Sequence, residues 1–393
     1  MDAYDVVVAG AGLPGLSLAT ALAHSGLSVA VADAAPIAAP EHDRARYDVR
    51  VYAISPGSAQ FLHAIGAWQR MPVDRIAAVE GMEIEGDARA HLEFTAYDLH
   101  ERALAWIVEE RELRGALVET AVDAGVAMRG GAPFVGLTFD TDHATLITEP
   151  PASPAESLRG RLIVAADGLR SWVRQAAGIL AEPKPYGQTG VVANFACERP
   201  HRGIARQWFL DDGSVLAWLP LPGHDVSVVW SAPDALAREL LSSTPEALAA
   251  RVAATGRHAL GTMTLLSGAA GFPLALLRLP TSVAHRLALV GDAAHGVHPL
   301  AGQGVNLGFG DARVLAQILA DRGPLDDPGA PILLARYARR RVEPVLAMQL
   351  VTDGLVRLFG PPSPWLSVLR NAGMSAVDRL PFLKRALAQP ALR

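Results

Sequence analysis

The sequence predicts an α/β protein in which a parallel sheet is interrupted by a largely antiparallel one. Residues 4–33 show the pattern of strand, helix and strand, with a β-branched run at 6–8, helical spacing over 13–25 and a second apolar run from 27. Residues 186–230 contain several short strand-like runs separated by turn signals. A buried strand then returns at 285–290. We therefore expect a β-α-β unit that opens a parallel sheet, with a second sheet inserted further along the chain.

Composition and charge narrow the class of protein. The 393 residues are 50% hydrophobic and 19% charged, which is globular composition and excludes a wholly disordered chain. The net charge of −5 argues against nucleic acid as the main partner. The single cysteine, Cys197, permits no internal disulfide and no cysteine-based metal cluster, so no metal site is predicted. With no secretory signal and no apolar run of about 20 residues, we expect a cytoplasmic protein.

The first chemical motif is a glycine-rich loop between the first strand and the first helix. It has the form G-x-G-x-x-G and consists of Gly10, Ala11, Gly12, Leu13, Pro14 and Gly15. In such a loop the first glycine makes a tight turn, the second lets a pyrophosphate approach the backbone, and the third lets the helix pack on the strand. Asp33 ends the second strand, where an acid binds a ribose hydroxyl. The spacing therefore predicts a Rossmann-like site for a dinucleotide.

Two further motifs follow predicted strands. Asp167-Gly168 comes directly after the strand that ends at residue 166. Asp292, in the pair Gly291-Asp292, ends the strand at 285–290, where its carboxylate can reach a ribityl hydroxyl. The loop that follows breaks the chain and exposes backbone at the start of the next helix, and its candidate residues are Pro299, Gly302, Gln303, Gly304, Val305 and Asn306. A helix N-terminus stabilises negative charge, which suits the N1–C2=O edge of a reduced flavin.

These motifs in this order resemble the single-component FAD-dependent aromatic hydroxylases of the para-hydroxybenzoate hydroxylase type. Residues 48–55 and 298–308 are similar to the ubiquinone-biosynthesis hydroxylase (UbiH-like) branch, and residues 369–373 and 380–385 extend the resemblance toward the end of the chain. The resemblance implies that Gly10, Gly12, Gly15 and Asp33 hold the ADP half of FAD and that Arg50 lies near the flavin and its phosphates. It also implies a role for Asp167 in FAD and NAD(P)H binding, for Asp292 at the ribityl chain, and for the loop from Gly302 at the flavin edge.

The resemblance further implies a reaction and a set of partners. NAD(P)H would reduce FAD, O2 would form a C4a-hydroperoxide, and an electron-rich aromatic ring would be hydroxylated. The favoured substrate is a polyprenylated phenol of ubiquinone biosynthesis. The alternatives are a soluble aromatic metabolite, an FAD-binding scaffold of a quinone-synthesis complex, and an amine or hydroxy-acid oxidase that shares only the first motif. NADH, NADPH or a partner reductase, the ring position and the oligomeric state stay open.

The inserted sheet and the basic C-terminal segment complete the predicted organisation. The segment carries an excess of seven positive charges together with apolar stretches, which is typical both of an ordinary surface helix and of a helix on the inner face of a membrane. The predicted boundaries are an FAD-binding unit at 1–75, 100–180 and 270–330, a substrate-binding β-sheet unit at 76–99 and 181–269, and a helical segment at 331–393.

Several residues leave two interpretations open. At the position where the family places Arg, or Asn in the quinone branch, to contact FAD, this chain has Glu110 with Arg111 beside it, so that contact is either shifted or absent. His295 and His298 lie in the flavin motif, where a structural role is favoured over a catalytic base. Three tryptophans of the inserted sheet either form its core, as we favour, or line an aromatic pocket, and they are Trp208, Trp218 and Trp230.

Overall fold

The protein is described here by a computed structural model that covers residues 3–40, 46–86, 90–151 and 153–359. The strands are β1 (Ala3–Ala9), β2 (Val29–Asp33), β3 (Val51–Ile54), β4 (Ala77–Val79), β5 (Gly81–Glu85), β6 (His91–Thr95), β7 (Ala105–Glu109), β8 (Ala127–Gly130), β9 (Phe134–Phe139), β10 (Ala144–Thr148), β11 (Glu156–Ala165), β12 (Lys184–Cys197), β13 (Ile204–Phe209), β14 (Val215–Pro220), β15 (Val226–Pro233), β16 (Met263–Leu265), β17 (Ala270–Leu276), β18 (Val283–Ala284) and β19 (Leu287–Leu289). The helices are α1 (Leu13–His24), α2 (Pro56–Ala64), α3 (Glu110–Asp123), α4 (Trp172–Ala176), α5 (Asp234–Ser242), α6 (Pro245–Thr255), α7 (Gly304–Ala320) and α8 (Pro331–Leu358).

The first sheet is the predicted parallel one. Its order is β18-β19-β11-β1-β2-β8, and β1 pairs in parallel with β2 on one side and with β11 on the other. One face packs against α1, α3, α7 and α8 in the largest core cluster, where the side chains of Leu16, Leu117 and Leu315 are buried. The antiparallel strands β9 and β10 extend from β11. The carboxyl ends of β1, β11 and β19 therefore meet at one edge of this sheet.

The second sheet is the inserted one, and all but one of its strand pairs are antiparallel. Its order is β16-β12-β15-β14-β13-β5-β6, with β17 also paired to β12. Because β17 pairs with β12 through Gly190 and Phe272, residues 270–276 belong to this sheet and not to the FAD-binding unit, to which the predicted boundary at 270 assigned them. Backbone pairing across 80 residues carries no local sequence signal, so the boundary was placed too early. A small third sheet, β3-β7-β4, is built from residues 51–54, 77–79 and 105–109, on both sides of β5 and β6 in the chain.

The tryptophans of the second sheet form its core, and the aromatic-pocket interpretation is wrong. Trp208, Trp218 and Trp230 are buried in one cluster with α5 and α6, on the sheet face opposite the one that packs near Ala53 and Leu300. Trp208 and Trp218 pack edge to face with ring centroids 4.7 Å apart. A Cβ atom on Gly256 would lie 2.0 Å from the Trp218 ring, so this residue must be glycine. Cys197 is half-buried at the rim of the cluster, and burial raises the pKa of its thiol to about 12.

The C-terminal helix α8 begins at Pro331 and runs for 28 residues. At its end, Leu355 and Phe359 pack against Phe209 and Val215 of the second sheet, and the Phe359 ring stacks on that of Phe209 with centroids 3.9 Å apart. This apolar stretch is therefore a contact between the helix and the sheet. In the ranges described above, no helix has the length and hydropathy needed to cross a membrane. The predictions for residues 360–393 concern a segment outside the described residues.

Candidate functional site

The first glycine-rich loop has the geometry that its three glycines predict. Gly10 has φ of +112°, and a Cβ atom there would lie 2.3 Å from the carbonyl oxygen of Ala166. A Cβ atom on Gly15 would lie 2.2 Å from the carbonyl oxygen of Gly10, so α1 packs directly on the turn. At Gly12, by contrast, no atom lies within 4 Å of the added carbon. The loop is therefore tight on the protein side and open on the outer side, where a pyrophosphate can approach the N-terminus of α1.

Asp33 fixes this loop from the end of β2. One carboxylate oxygen accepts a hydrogen bond from the backbone N–H of Ala11 at 2.6 Å, and the other accepts one from Ala35 at 2.8 Å. The side chain is half-buried, and each carboxylate oxygen can accept a further hydrogen bond. The residue predicted to bind ribose thus also holds the glycine loop in place.

The second motif is joined to the third through buried polar contacts. Asp167 accepts hydrogen bonds from the Ser171 hydroxyl at 2.5 Å and from the Val173 N–H at 3.0 Å, which fixes the start of α4. Burial raises the pKa of Asp167, and these hydrogen bonds oppose the rise. Arg174, buried on the same helix, donates to the carbonyl oxygen of Ala293 at 3.0 Å. The motif that follows β11 therefore positions the loop that follows β19.

The third motif contacts the first one directly. Pro14 of the glycine loop packs against Gly291 and Gly308, where added Cβ atoms would lie 3.2 Å and 2.7 Å from its ring. Next to this contact Asp292 is open to solvent, yet surrounding protein raises the pKa of its carboxyl group. Its side chain makes no hydrogen bond to any residue that the structure describes. Asp292 is thus a recessed acid in a cleft, free to bind a hydroxyl group.

A buried charged network anchors the Gly291-Asp292 turn. Asp311 on α7 is fully buried and accepts hydrogen bonds from the Gly291 N–H at 2.8 Å, from His295 Nε2 at 2.6 Å and from Arg341 Nε at 2.5 Å. Burial on its own would raise the pKa of Asp311, but His295 and Arg341 together hold it below its usual value. Tyr337, one turn before Arg341 on α8, donates to the carbonyl oxygen of Leu289 at 2.7 Å. His295 therefore has a structural role here.

The loop from residue 299 to α7 exposes backbone donors. Gly302 has φ of +63°, and a Cβ atom on it would lie 3.2 Å from that of Ala53 on β3. The side chain of Asn306 donates to the Ala53 carbonyl at 2.8 Å and accepts from the Ser55 N–H at 2.9 Å, which ties α7 to β3. The N–H groups of residues 304–306 open α7, and no carbonyl in the described ranges accepts them. They form a partial positive end next to the cleft.

His298 joins this loop to the second sheet. Its Nε2 contacts the Gln188 side-chain oxygen at 2.9 Å, and its Nδ1 accepts a hydrogen bond from the Leu300 N–H at 3.3 Å. Burial lowers the pKa of His298 to about 4, so the ring is neutral at physiological pH. Both ring nitrogens are used in fixing the loop, which supports the structural interpretation of this histidine.

Arg50 and Glu110 meet on the other side of the cleft. Arg50 Nη1 lies 3.2 Å from Glu110 Oε2, and the guanidinium group also lies over the Phe272 ring, 4.2 Å from its centroid. The Tyr52 hydroxyl contacts the same Glu110 oxygen at 3.5 Å. Burial raises the pKa of Tyr52, and the negative charge of Glu110 raises it further. Glu110 therefore engages the residue that is expected to face the flavin and its phosphates.

Arg111 points away from this pair. Its guanidinium donates to the Arg46 carbonyl at 2.8 Å, while its backbone N–H donates to the Asp48 carboxylate at 3.0 Å. Glu109, buried beside it, accepts two hydrogen bonds from Arg75 at 2.7 and 2.8 Å. Arg111 is thus part of the scaffold that holds the segment before Arg50.

The cleft fits FAD in three independent respects. The loop at Gly12 is open where a pyrophosphate would lie, Asp292 is an acid with no hydrogen-bond partner among the described residues, and the first turn of α7 offers unpaired N–H groups to an electron-rich ring edge. Of the predicted cofactor residues, Gly10, Gly12, Gly15, Asp33 and Asp292 lie at one edge of the first sheet. Individual contacts between these residues and FAD stay predictions.

Fold and cleft together define a flavoprotein with a Rossmann-like domain. Comparison with known proteins agrees: residues 3–352 match the FAD binding domain family, and the chain belongs to that family. It is similar to the ubiquinone hydroxylase UbiL of Rhodospirillum rubrum, with 37% identity over 99% of this chain and 89% of UbiL. It is also similar to the 3-demethoxyubiquinol 3-hydroxylase of Escherichia coli, with 34% identity over 99% and 98% of the two chains.

Solved structures share the same architecture. Pseudomonas aeruginosa PqsL in complex with 2-aminobenzoylacetate is similar with a TM-score of 0.77 and 26% identity, over 95% of this chain and 99% of PqsL. The p-nitrophenol 4-monooxygenase PnpA of Pseudomonas putida has a TM-score of 0.79 at 19% identity, over 100% and 99% of the chains, and shows the fold. The predicted fold, the FAD cofactor and the resemblance to FAD-dependent hydroxylases are confirmed. The protein is an FAD-dependent monooxygenase, and NAD(P)H is the typical reductant of its family.

Proposed function

We propose that this monooxygenase hydroxylates the ring of a prenylated phenol or quinol, a precursor of ubiquinone. The observation that carries the proposal is the apolar sheet face opposite the 299–306 loop. There Val192, Ala217 and Val229, which occupy one row across β12, β14 and β15, are half-buried, whereas their neighbours on the opposite face are buried in the tryptophan core. Apolar side chains of this size favour an alkylated aromatic ring over a charged acid. The names of the relatives point to the same substrate class.

The residues of the chain perform four tasks in such a reaction. Gly12 and the N-terminus of α1 bind the pyrophosphate, and Asp292 binds the ribityl chain. The unpaired N–H groups at the start of α7 stabilise negative charge on the ring edge. The apolar row and Leu300 exclude water from the space between the sheet and the loop. FAD itself, once reduced, supplies the oxygen-activating chemistry.

The first experiment is an anaerobic reduction followed by oxygenation. The purified protein with FAD is mixed with NADH or NADPH, with and without 2-geranylphenol, and the flavin absorbance is followed. We expect the phenol to accelerate bleaching and the product formed under ¹⁸O2 to carry one labelled oxygen. Hydroxylation of simple aromatic acids in preference to the prenylphenol would move the assignment to soluble metabolites. Flavin that neither nicotinamide reduces would favour the scaffold or a partner reductase.

We further propose that α8 contacts a membrane surface that holds this substrate. Val342, Leu346 and Leu350 follow one another at helical spacing and are 53%, 46% and 64% exposed, and Arg339 and Arg340 are exposed one turn earlier. Apolar side chains beside arginines suit the interface of an anionic bilayer. Sedimentation with vesicles of phosphatidylethanolamine and phosphatidylglycerol tests this. Binding should fall at least fivefold in a Leu346→Glu/Leu350→Glu variant and stay unchanged in Leu241→Glu, an exposed position on α5. Equal binding of the two variants would refute the contact.

A further inference from the structure

The side chain of Gln207 occupies a distinctive position on the second sheet. Along β13, Ala205, Gln207 and Phe209 point to the same face, because side chains alternate in a strand. Ala205 packs in a cluster with Ala53 of β3, and Phe209 packs in a cluster with Leu300 of the flavin loop. Gln207 therefore lies between these two clusters and faces the junction of β3 and that loop, next to where the edge of the flavin is expected.

Apolar residues surround Gln207 on its sheet face. Its strand neighbours in the same row are Ile84 on β5 and Ala217 on β14, and the row continues to Val229 and Val192. All four are half-buried. A primary amide among apolar side chains is unfavourable unless its donors and acceptor find partners.

No such partner exists within the described part of the chain. The residue Gln207 is 6% exposed and its side chain makes no hydrogen bond there, although its amide atoms are not sealed from solvent. Asn194 and Ser227 on the same face differ, since both are fully buried and Asn194 donates to the Asp48 carbonyl at 2.8 Å. A poorly hydrated, unpaired amide that opens into an apolar space is suited to recognise one polar group of an otherwise apolar ligand.

We propose that Gln207 orients the substrate ring by hydrogen bonding to its hydroxyl oxygen. The proposal rests on the function proposed above and adds the residue that selects a hydroxylated ring over a plain one. An amide accepts a hydrogen bond from a neutral phenol and donates one to a phenolate, so the contact persists in both protonation states. With the oxygen held at Gln207, one edge of the ring is turned toward the 299–306 loop, which fixes the carbon that reacts.

Two ligands that differ in one hydroxyl group test this position. The affinities of 2-allylphenol and allylbenzene for the FAD-loaded protein are measured from the perturbation of the flavin spectrum, in the wild type, Gln207→Leu and Gln207→Met. Both substitutions keep the volume of the side chain and suit the apolar row. Gln317→Leu, at an exposed position on α7, is the matched control. FAD content and the melting temperature of each variant are recorded in parallel.

We expect the wild type and Gln317→Leu to bind the phenol roughly fivefold to tenfold more tightly than the hydrocarbon. In both Gln207 variants the ratio should fall close to one, with the affinity for allylbenzene and the FAD content unchanged. A ratio that survives in Gln207→Leu and Gln207→Met overturns the proposal, as does a wild type that binds both ligands equally. Loss of FAD in these variants would assign the amide to the cofactor and overturn it too.

The same samples separate this inference from the proposed function. Wild-type hydroxylation of a prenylphenol together with an unchanged ratio in the variants refutes only the role of Gln207. A collapsed ratio in the variants together with no hydroxylated product from the wild type refutes the reaction but supports phenol recognition by this residue.

Discussion

The buried carboxylate of Asp311 offers the sharpest test of how the site is held together. The substitution Asp311→Asn keeps the shape of the side chain but removes its charge. Arg341, whose side chain is 9% exposed, would then be a buried cation without a counter-ion, and an asparagine N–H₂ group would face at least one of its two side-chain donors. Removing one member of a buried ion pair costs about 3–5 kcal/mol.

That magnitude predicts a measurable loss of stability. With an unfolding entropy of about 2.1 cal/mol/K per residue, a loss of 4 kcal/mol lowers the melting temperature of a chain of this size by about 5 °C. Because Asp311 also accepts the Gly291 N–H, the Gly291-Asp292 turn loosens and the affinity for FAD falls. Calorimetry and an FAD titration measure the two effects separately.

The controls use the same helix and the same ion pair. Asp321→Asn, at the exposed end of α7, should change stability by less than about 0.5 kcal/mol. A double variant, Asp311→Asn with Arg341→Met, should recover part of the loss because it also removes the uncompensated cation. An Asp311→Asn protein with the melting temperature and the FAD affinity of the wild type would refute the assigned role of this network.

Four other outcomes follow from the described contacts. Gly12→Val should fold with a loss of stability below about 1 kcal/mol yet lose FAD binding, because the valine side chain enters the open space where the cofactor would lie. Gly15→Ala should lower the free energy of unfolding by about 3 kcal/mol or more, because the added carbon meets backbone atoms. Glu110→Gln should raise the affinity for FAD by about twofold to fivefold, because it releases Arg50 from a partly exposed ion pair; an FAD titration at low and high salt measures this. His298→Gln should flatten the pH dependence of stability. In the wild type the pKa of His298 is lowered to about 4 in the folded state, so the ring stays neutral while the unfolded chain takes up a proton below about pH 6.5. The free energy of unfolding of the wild type therefore falls by roughly 3 kcal/mol between pH 6.5 and 4.

Other results for three of these variants would contradict the reasoning. Normal FAD binding by Gly12→Val would place the pyrophosphate elsewhere. An unchanged or lower affinity in Glu110→Gln would show that the carboxylate does not compete with the cofactor for Arg50. Urea denaturation of the wild type and His298→Gln with the same pH dependence between 4 and 6.5 would show that this ring does not govern acid sensitivity.

Local patterns were sufficient to predict the cofactor half of the site. The G-x-G-x-x-G loop with Asp33 carries its geometry within 24 residues, because a tight turn, a helix start and a strand end are each set by adjacent residues. The strand periodicities likewise predicted both sheets. The preference for core tryptophans over an aromatic pocket is confirmed by their burial.

Long-range polar contacts were beyond such patterns. Arg341 lies among several exposed arginines on α8, and nothing in its spacing separates the one buried arginine that binds Asp311, 30 residues earlier. The position of Gln207 could not be predicted from the sequence either. It depends on the register between β13 and its neighbours and on the packing of Ala205 and Phe209 against two different elements. The role of Glu110 became visible only when β3 placed Arg50 beside it.

The contact of Pro14 with Gly291 and Gly308 has a consequence for how the protein folds during its synthesis on the ribosome. The two halves of the cleft are separated by about 280 residues of chain. At a synthesis rate of 5–20 residues per second, the residues against which the glycine loop packs are made roughly 15–60 s after the loop itself. During that interval β11 also lacks its parallel neighbour β19. Cofactor capture is therefore a late event, and a nascent chain arrested before α7 leaves the ribosome without a complete flavin site.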